Sequence, residues 1–157
     1  MRPQAIIAIR IMLIVVALTA SFMLGTSRAA EPVIGQASIT VRFSPNGGCT
    51  EAIVREIEGA TQSVEMQAYS FTSTPIAKAL VEAHKRGVRV TAILDKSHRT
   101  KNYSGADFLL HAGVPTYIDA QHAIAHNKIM LIDGETIITG SFNFTKKPRS
   151  PTRRTCW

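Results

Sequence analysis

Alternation between strand-like and helix-like segments constrains the fold of this chain more than any other feature of its sequence. Residues 63–70 alternate apolar and polar side chains, and residues 88–94 form a strongly apolar run. Between them, residues 74–86 carry apolar side chains at helical spacing, with Pro75 in the first turn and Arg86-Gly87 at the end. This pattern predicts an α/β fold with parallel strands and helices packed on the sheet.

Weaker segments extend the same pattern on both sides. We predict a strand at residues 39–43 and a helix at about residues 50–58 before this region. After it, we predict a short helix at residues 106–111 and a strand at residues 114–118.

The first 29 residues have the pattern of an export signal. Arg2 and Arg10 accompany an apolar run at residues 11–24, and the small residues Ser27 and Ala29 fit a cleavage site. We therefore predict cleavage after Ala29 and a periplasmic or secreted domain at residues 30–145. The alternative is an uncleaved leader that anchors the domain in the inner membrane, because residues 6–24 are nearly long enough to span a bilayer.

Composition narrows the possible partners and cofactors. The formal net charge is +7, but three of the basic residues lie in the leader, so the remaining basic excess is modest. It is compatible with nucleic acid or an anionic lipid surface and proves neither.

Cys49 and Cys156 are the two cysteines, and their spacing does not indicate a disulfide, although an exported protein permits one. Since no His/Cys set or carboxylate cluster has metal-ligand spacing, we predict chemistry without a metal or other cofactor.

A hairpin is predicted around Asp133-Gly134, which separates two apolar runs. If these residues form a two-residue turn, counting back pairs Lys128 with Thr139. Opposed residues point to the same side of a sheet, and a slip by one residue would separate them. The predicted register places four polar side chains together on one face: His126, Lys128, Ser141 and Asn143.

These side chains suit the hydrolysis of a phosphate diester. An imidazole can act as nucleophile or general acid, and a lysine supplies a fixed positive charge. A hydroxyl and an amide add donors for non-bridging oxygens, where charge accumulates in the transition state. The candidate catalytic and substrate-binding residues are therefore His126, Lys128, Ser141 and Asn143.

Other polar residues have weaker signals. Lys96 and Arg99 lie in the connection after the third strand and could bind substrate in a nucleic-acid groove, although such charged runs are more often simply solvated. His98 is interpreted as a loop residue. Tyr69 could stack on a base, but a strand tyrosine is more often a core or rim residue.

A resemblance to a known family rests on the same stretch. The pattern H-x-K-x4-D-x6-G-S is matched at every fixed position, and Asn143 extends it. The chain thereby resembles the phospholipase D superfamily. From about residue 41 to 145, including residues 66–72 and 85–88, it looks like the small, exported bacterial nuclease branch. The motif adds Asp133 to the candidate catalytic residues, with a structural or orienting role expected from its place at the turn.

The resemblance implies an α/β fold with a mixed, largely parallel sheet and helices on both faces. Members of this branch continue with a strand, a helix and an acidic residue that orients the motif histidine. Residues 146–157 form a basic, divergent tail with two prolines and no acidic residue, so the C-terminal strand and helix are expected to be missing. The tail is either a disordered segment that adds phosphate affinity or the product of a reading-frame shift or gene truncation.

The resemblance also implies a mechanism and an assembly. The motif histidine attacks phosphorus to form a phosphohistidine, and a second motif histidine protonates the leaving oxygen. Since this chain has one motif, a homodimer is expected to bring together His126 of two subunits. The leading hypothesis is a metal-independent, non-specific endonuclease acting on DNA or RNA. The alternatives are a phospholipase D that cleaves phospholipid headgroups and an inactive remnant that at most binds nucleic acid.

Overall fold

The computed structural model describes residues 37–98, 105–146 and 154–156. The predicted leader, most of the predicted tail and Arg99 lie outside these ranges. Apart from residue 37, the described residues belong to one compact unit that begins at Ser38. Within the described ranges, no helix is both long enough and apolar enough to cross a membrane.

Strands and helices alternate from residue 42 to residue 119, as the sequence pattern predicts, and three further strands follow among the described residues. A short 3-10 turn, Lys96–His98, follows the third strand. In chain order the elements are β1 (Arg42–Ser44), α1 (Cys49–Gly59), β2 (Ser63–Ala68), α2 (Thr74–Lys85), β3 (Arg89–Asp95), α3 (Gly105–His111), β4 (Thr116–Asp119), β5 (Lys128–Ile132), β6 (Thr136–Thr139) and β7 (Arg154–Cys156).

Five of these strands form a mixed sheet in the order β4-β3-β2-β5-β6. The crossovers through α2 and α3 make β2, β3 and β4 parallel to one another. The hairpin of β5 and β6 joins the other side of β2 with antiparallel pairing. The predicted mixed α/β fold is confirmed, but this sheet has two parallel and two antiparallel pairings and is therefore not largely parallel.

The two faces of this sheet differ in burial. Because side chains alternate along a strand, one face of β2, β3 and β5 packs against the apolar stripes of the helices. The buried side chains on that face are Val64, Met66, Ala68, Val90, Ala92, Leu94, Met130 and Ile132. The helices α1, α2 and α3 contact one another in sequence, which is consistent with a single layer over that face.

The opposite face of the sheet carries exposed apolar side chains. Ile93, Tyr117, Ile129 and Ile137 are all more than one-third exposed. The resemblance implies helices on both faces, but the described helices cover one face.

The register of the β5–β6 hairpin differs from the predicted one. Ile132 pairs with Thr136 and Ile129 with Thr139, so three residues form the loop instead of two. Asp133 and Gly134 have the positive φ angles expected of them, 54° and 74°. The predicted pairing of Lys128 with Thr139 is wrong because Ile137-Ile138 is apolar at both alternating positions, so alternation cannot select the register. In the structure Ile138 is buried and Ile137 is exposed.

A second, two-stranded sheet pairs the start and the end of the described chain. β1 begins at Arg42, later than predicted, and pairs antiparallel with β7. Part of the predicted tail therefore forms a strand, although its composition lacks apolar alternation. Its backbone finds partners in β1 and in Ser141 and Phe142, whose N–H groups donate to the carbonyl of Thr155. Cys49 and Cys156 are both buried, with free thiols.

Candidate active site

The motif residues lie where the start of β5 meets the end of β2. His126 precedes β5 by two residues, and Lys128 is its first residue. The antiparallel register pairs Lys128 with Ala68, the last residue of β2. One residue further on, the N–H of Tyr69 donates a hydrogen bond to the carbonyl of Asn127, at 2.8 Å. The sheet thus fixes the backbone immediately after the candidate nucleophile.

His126 and Lys128 share a contact with the ring of Tyr69. The ring centroids of Tyr69 and His126 lie 4.6 Å apart in an edge-to-face arrangement with an interplanar angle of 61°. The ammonium of Lys128 lies 5.2 Å from the centroid of the Tyr69 ring, within the range of a cation–π interaction. It also donates a hydrogen bond to the carbonyl of His126, at 3.2 Å. The structure therefore places both motif side chains in contact with one aromatic ring.

The two motif residues differ in accessibility. His126 is exposed, so its imidazole is open to a substrate. Lys128 is only 7% exposed, which places its positive charge in partly desolvated surroundings. A charge in such surroundings interacts more strongly with an anion than a fully hydrated one does. An exposed imidazole beside a sheltered ammonium is suited to bind and attack an anionic phosphate.

Ser141 and Asn143 lie in the segment that follows β6. Phe144 leads this segment to the end of β2, because it forms a parallel bridge with Phe71 and its carbonyl accepts hydrogen bonds from Thr72 and Ser73. Asn143 is half-buried, and its Oδ1 is buried without a hydrogen-bond partner among the described residues. A buried amide oxygen of this kind is costly unless something satisfies it.

The hydrogen bond described for the side chain of Ser141 is with the C-terminal strand. Its Oγ accepts a hydrogen bond from the N–H of Thr155, at 2.9 Å. Ser141 is therefore engaged with β7, and the buried oxygen of the Asn143 amide has no partner among the described residues.

Asp133 lies at the opposite end of β5 from His126. One carboxylate oxygen accepts hydrogen bonds from the N–H and the hydroxyl of Thr61, both at 2.9 Å. The other accepts the N–H groups of Gln62 and Ser63, at 2.8 and 2.9 Å. The hydrogen bonds from the backbone of Ser63, Thr61 and Gln62 hold the pKa of Asp133 well below its usual range. Its carboxylate thus clamps the hairpin loop to the turn before β2.

Asp95 is a buried polar residue near the site that sequence reasoning did not select. It ends β3, is 3% exposed, and accepts the N–H of Ala125 at 2.8 Å and that of Ser97 at 2.9 Å. Burial alone would raise its pKa, but the hydrogen bonds from Ser97 and Ala125 outweigh this effect and lower it. The carboxylate therefore fixes the backbone immediately before His126. An aspartate at the end of an apolar strand is the signal that could have identified it.

His98 is a second buried residue that sequence reasoning assigned only to a loop. It is 4% exposed, and its Nε2 lies 3.2 Å from the carbonyl oxygen of Tyr69 and 3.3 Å from the backbone nitrogen of Phe71. It thus joins the turn after β3 to the segment after β2. Its sequence context carries no signal for this contact.

The remaining predicted substrate-binding residues lie in or after the 3-10 turn. Lys96 is exposed in that turn, and Arg99 lies outside the described residues, so their place in a groove stays a prediction. Across the described ranges, no group of three or more His, Cys, Asp or Glu side chains could hold a metal ion. Metal-independent chemistry likewise stays a prediction.

Comparison with known proteins connects this geometry to a family. Residues 53–150 match the family model described as "Cardiolipin synthase, PLD-like domain". The chain is 40% identical to a phospholipase D from Rickettsia typhi over 114 residues. This aligned region covers 73% of this chain and 56% of that protein. Over 90 residues it is 34% identical to the mitochondrial cardiolipin hydrolase of Xenopus laevis, covering 57% of this chain and 43% of that protein. The chain spans about half the length of the curated relatives it matches.

Solved structures agree with this assignment. The phospholipase D family member Nuc from Salmonella typhimurium superposes with a TM-score of 0.69 and 35% identity, covering 76% of this chain and 80% of that one. NucT from Helicobacter pylori, at 23% identity and a TM-score of 0.62, shares the fold. The family match includes the whole stretch from His126 to Asn143. This chain belongs to the phospholipase D superfamily, as a protein with a PLD-like domain.

Proposed function

We propose that this chain hydrolyses phosphodiester bonds through a phosphohistidine formed on His126. The observation that carries the proposal is the exposed imidazole of His126 beside the sheltered ammonium of Lys128, with the ring of Tyr69 in contact with both. The imidazole supplies the nucleophile. The ammonium supplies positive charge for the non-bridging oxygens, which become more negative in the transition state.

The proposed reaction has two displacements at phosphorus. A nitrogen of the His126 imidazole attacks, the bond to the leaving oxygen breaks, and a second imidazole donates a proton to that oxygen. Water then attacks the phosphohistidine, and the second imidazole takes up a proton from this water. The phosphomonoester leaves, and His126 is regenerated.

We propose that the second imidazole is His126 of another copy of the chain. The sequence holds one H-x-K-x4-D motif, so each subunit supplies one such histidine. A two-fold axis would place two equivalent histidines at one phosphate, one acting as nucleophile and the other as acid. The leader and the predicted exported location belong to the same proposal. Fractionation of expressing cells tests the location, because retention of the uncleaved chain in the cytoplasm would contradict it.

Nucleic acid is the substrate class that we propose first. Support comes from the resemblance of the motif region to the small bacterial nuclease branch, the 35% identity to Nuc, the basic excess of the chain and the exposed Lys96 directly after β3. Phospholipid is the second candidate, because the curated relatives include proteins named phospholipase D and mitochondrial cardiolipin hydrolase. Both substrates present the same phosphodiester to His126, and they differ in the surface that must surround the site.

One assay separates these substrates. Purified full-length protein is incubated in chelator with plasmid DNA, single-stranded RNA, and vesicles of phosphatidylcholine with or without cardiolipin. We expect cleavage of nucleic acid by the parent protein and by His122→Ala, a matched variant of an exposed histidine in the same loop. Cleavage of lipid alone would overturn the nucleic-acid assignment. Loss of all cleavage in chelator with recovery on metal addition would overturn the metal-independent mechanism.

The shared site is tested by the oligomeric state. Specific activity should rise with protein concentration in parallel with the dimer fraction measured by light scattering. Turnover by a demonstrably monomeric preparation would contradict the shared site. DNA binding without turnover, equal in the parent and in His126→Ala, would instead support an inactive remnant.

A further inference from the structure

Tyr69 takes no part in the bond-making and bond-breaking steps proposed above, although it lies beside His126. It follows the last residue of β2, and its backbone is held from two directions. Its N–H donates to the carbonyl of Asn127 beside β5, and its carbonyl oxygen lies 3.2 Å from Nε2 of His98, in the turn after β3. The backbone of this residue is therefore fixed by the strands on either side of β2.

The ring of Tyr69 contacts both motif side chains. Its contact with His126 is edge-to-face, at 4.6 Å between centroids, and its contact with the ammonium of Lys128 is at 5.2 Å from the centroid. Aromatic pairs in this geometry and cations over a ring are both attractive contacts. Both interactions depend on the direction in which the ring is held.

The imidazole of His126 has few other restraints. It is exposed, and among the described residues no hydrogen bond to its ring nitrogens is seen. An exposed side chain normally samples several rotamers. The Tyr69 ring is thus the contact that favours one orientation of the candidate nucleophile.

We propose that Tyr69 is the positioning residue of this site: its ring holds the imidazole of His126 and the ammonium of Lys128 in a fixed relative arrangement. The inference rests on the proposed function for its kinetic consequence, but the contact itself does not. His98 acts one step further away, because its Nε2 lies within hydrogen-bond distance of the Tyr69 carbonyl oxygen and of the Phe71 backbone nitrogen. Asp95 holds the N–H of Ala125, which precedes His126. Asp95 and His98, two buried residues at and just after the end of β3, therefore hold the backbone segments next to His126 and at Tyr69.

The geometry separates the role of the ring from that of the hydroxyl. The described contacts of Tyr69 are those of its ring with His126, of its ring with the ammonium of Lys128, and of its backbone. Phenylalanine keeps all three, whereas leucine keeps only the backbone contacts and a similar apolar bulk. The pair Tyr69→Phe and Tyr69→Leu consequently isolates the aromatic ring.

Steady-state kinetics on a soluble diester provide the first test. We expect Tyr69→Phe to retain kcat within about threefold. We expect Tyr69→Leu to lower kcat about 10–100-fold with a smaller change in KM, because misplacement of reacting groups by about 1 Å costs up to about 10²-fold. Tyr117→Leu, on the exposed face of the sheet, is the matched control and should leave kcat unchanged. Thermal melts establish that all three variants are folded.

A second measurement does not depend on activity. The ring current of Tyr69 should shift the NMR signals of the His126 ring protons, which are assigned by comparison with His126→Ala. The shift should persist in Tyr69→Phe and disappear in Tyr69→Leu. If the parent protein has no phosphodiesterase activity but shows this pattern, the proposed function fails while the positioning contact stands. Unchanged proton shifts and unchanged kcat in a folded, active Tyr69→Leu would overturn the inference, and so would equal losses in Tyr69→Phe and Tyr69→Leu.

Discussion

The polar side chains at the two ends of β5 lie in different environments. At one end His126 is exposed, and the described contact of its imidazole is with one aromatic ring. At the other end Asp133 accepts four hydrogen bonds from residues 61–63 and donates its own N–H to the carbonyl of Ser63. Only five residues of strand separate these two environments.

The difference shows that one short motif can contain both a candidate catalytic residue and a residue that stabilises the fold. A reacting imidazole must remain accessible, so it cannot be enclosed by hydrogen-bond partners. A carboxylate that accepts several backbone N–H groups is held in its charged form and fixes the chain. Asp133 is thus fixed through its own side chain, whereas His126 is fixed through the backbone on either side of it and through the ring contact with Tyr69.

The largest expected effect is at the histidine end. His126→Ala should lower turnover by at least about 10³-fold, because it removes the nucleophile. Its melting temperature should stay close to that of the parent, because the imidazole is exposed. Assays with His122→Ala in parallel provide the control. If His126→Ala turned over substrate at a rate comparable to the parent protein, His126 would not be the nucleophile.

Lys128 should have the next largest effect on activity. Lys128→Met keeps the side-chain length but removes the charge, and we expect kcat/KM to fall about 10²–10³-fold, as for loss of one group that stabilises transition-state charge. Lys85→Met, which removes an exposed lysine paired with Glu82, is the matched control. Equal activities of these two variants would mean that Lys128 is structural.

Asp133 should affect stability more than chemistry. Asp133→Asn tolerates the positive φ of the turn but removes the negative charge, so the melting temperature should fall while activity at low temperature is largely retained. Because the folded-state pKa is lowered, the stabilisation is present above pH 4 and is lost as the pH falls towards the folded-state pKa. Melts of both proteins between pH 7 and pH 2 should therefore converge at the acidic end. A constant difference would contradict a role for the charge.

The smallest effect is expected at Cys156, in the strand that pairs with β1 and adjoins Ser141. Burial and the neighbouring thiol of Cys49 raise the pKa of Cys156 to about 12. The folded chain keeps this thiol protonated at pH values where the unfolded chain ionises it, so the free energy of unfolding falls as the pH rises from about 9 towards about 12. Cys156→Ala should cost about 1 kcal/mol at pH 7 through lost packing. Its melting temperature should then depend less on pH between 9 and 11 than that of the parent.

Much of the fold could be predicted because it depends on local periodicity. The helix at residues 50–58 corresponds to α1 (Cys49–Gly59), and the segment at 88–94 corresponds to β3 (Arg89–Asp95). The apolar residues that define each element, and the residues that end it, lie within a few positions of one another in the sequence. The spacing from His126 to Ser141 likewise selected the candidate residues without any structure, and their catalytic roles stay predictions.

Other features were decided only by tertiary structure. The hairpin register follows from which of Ile137 and Ile138 meets the helix-covered face, and both satisfy the same alternation. β7 forms by backbone pairing with β1, for which its side chains carry no signal. Tyr69 meets His126 because β2 and β5 lie side by side, although the two residues are far apart in the chain. Local patterns determine the elements and the reactive groups, whereas contacts between distant strands decide the orientation of those groups, since that orientation depends on the packing of the whole sheet.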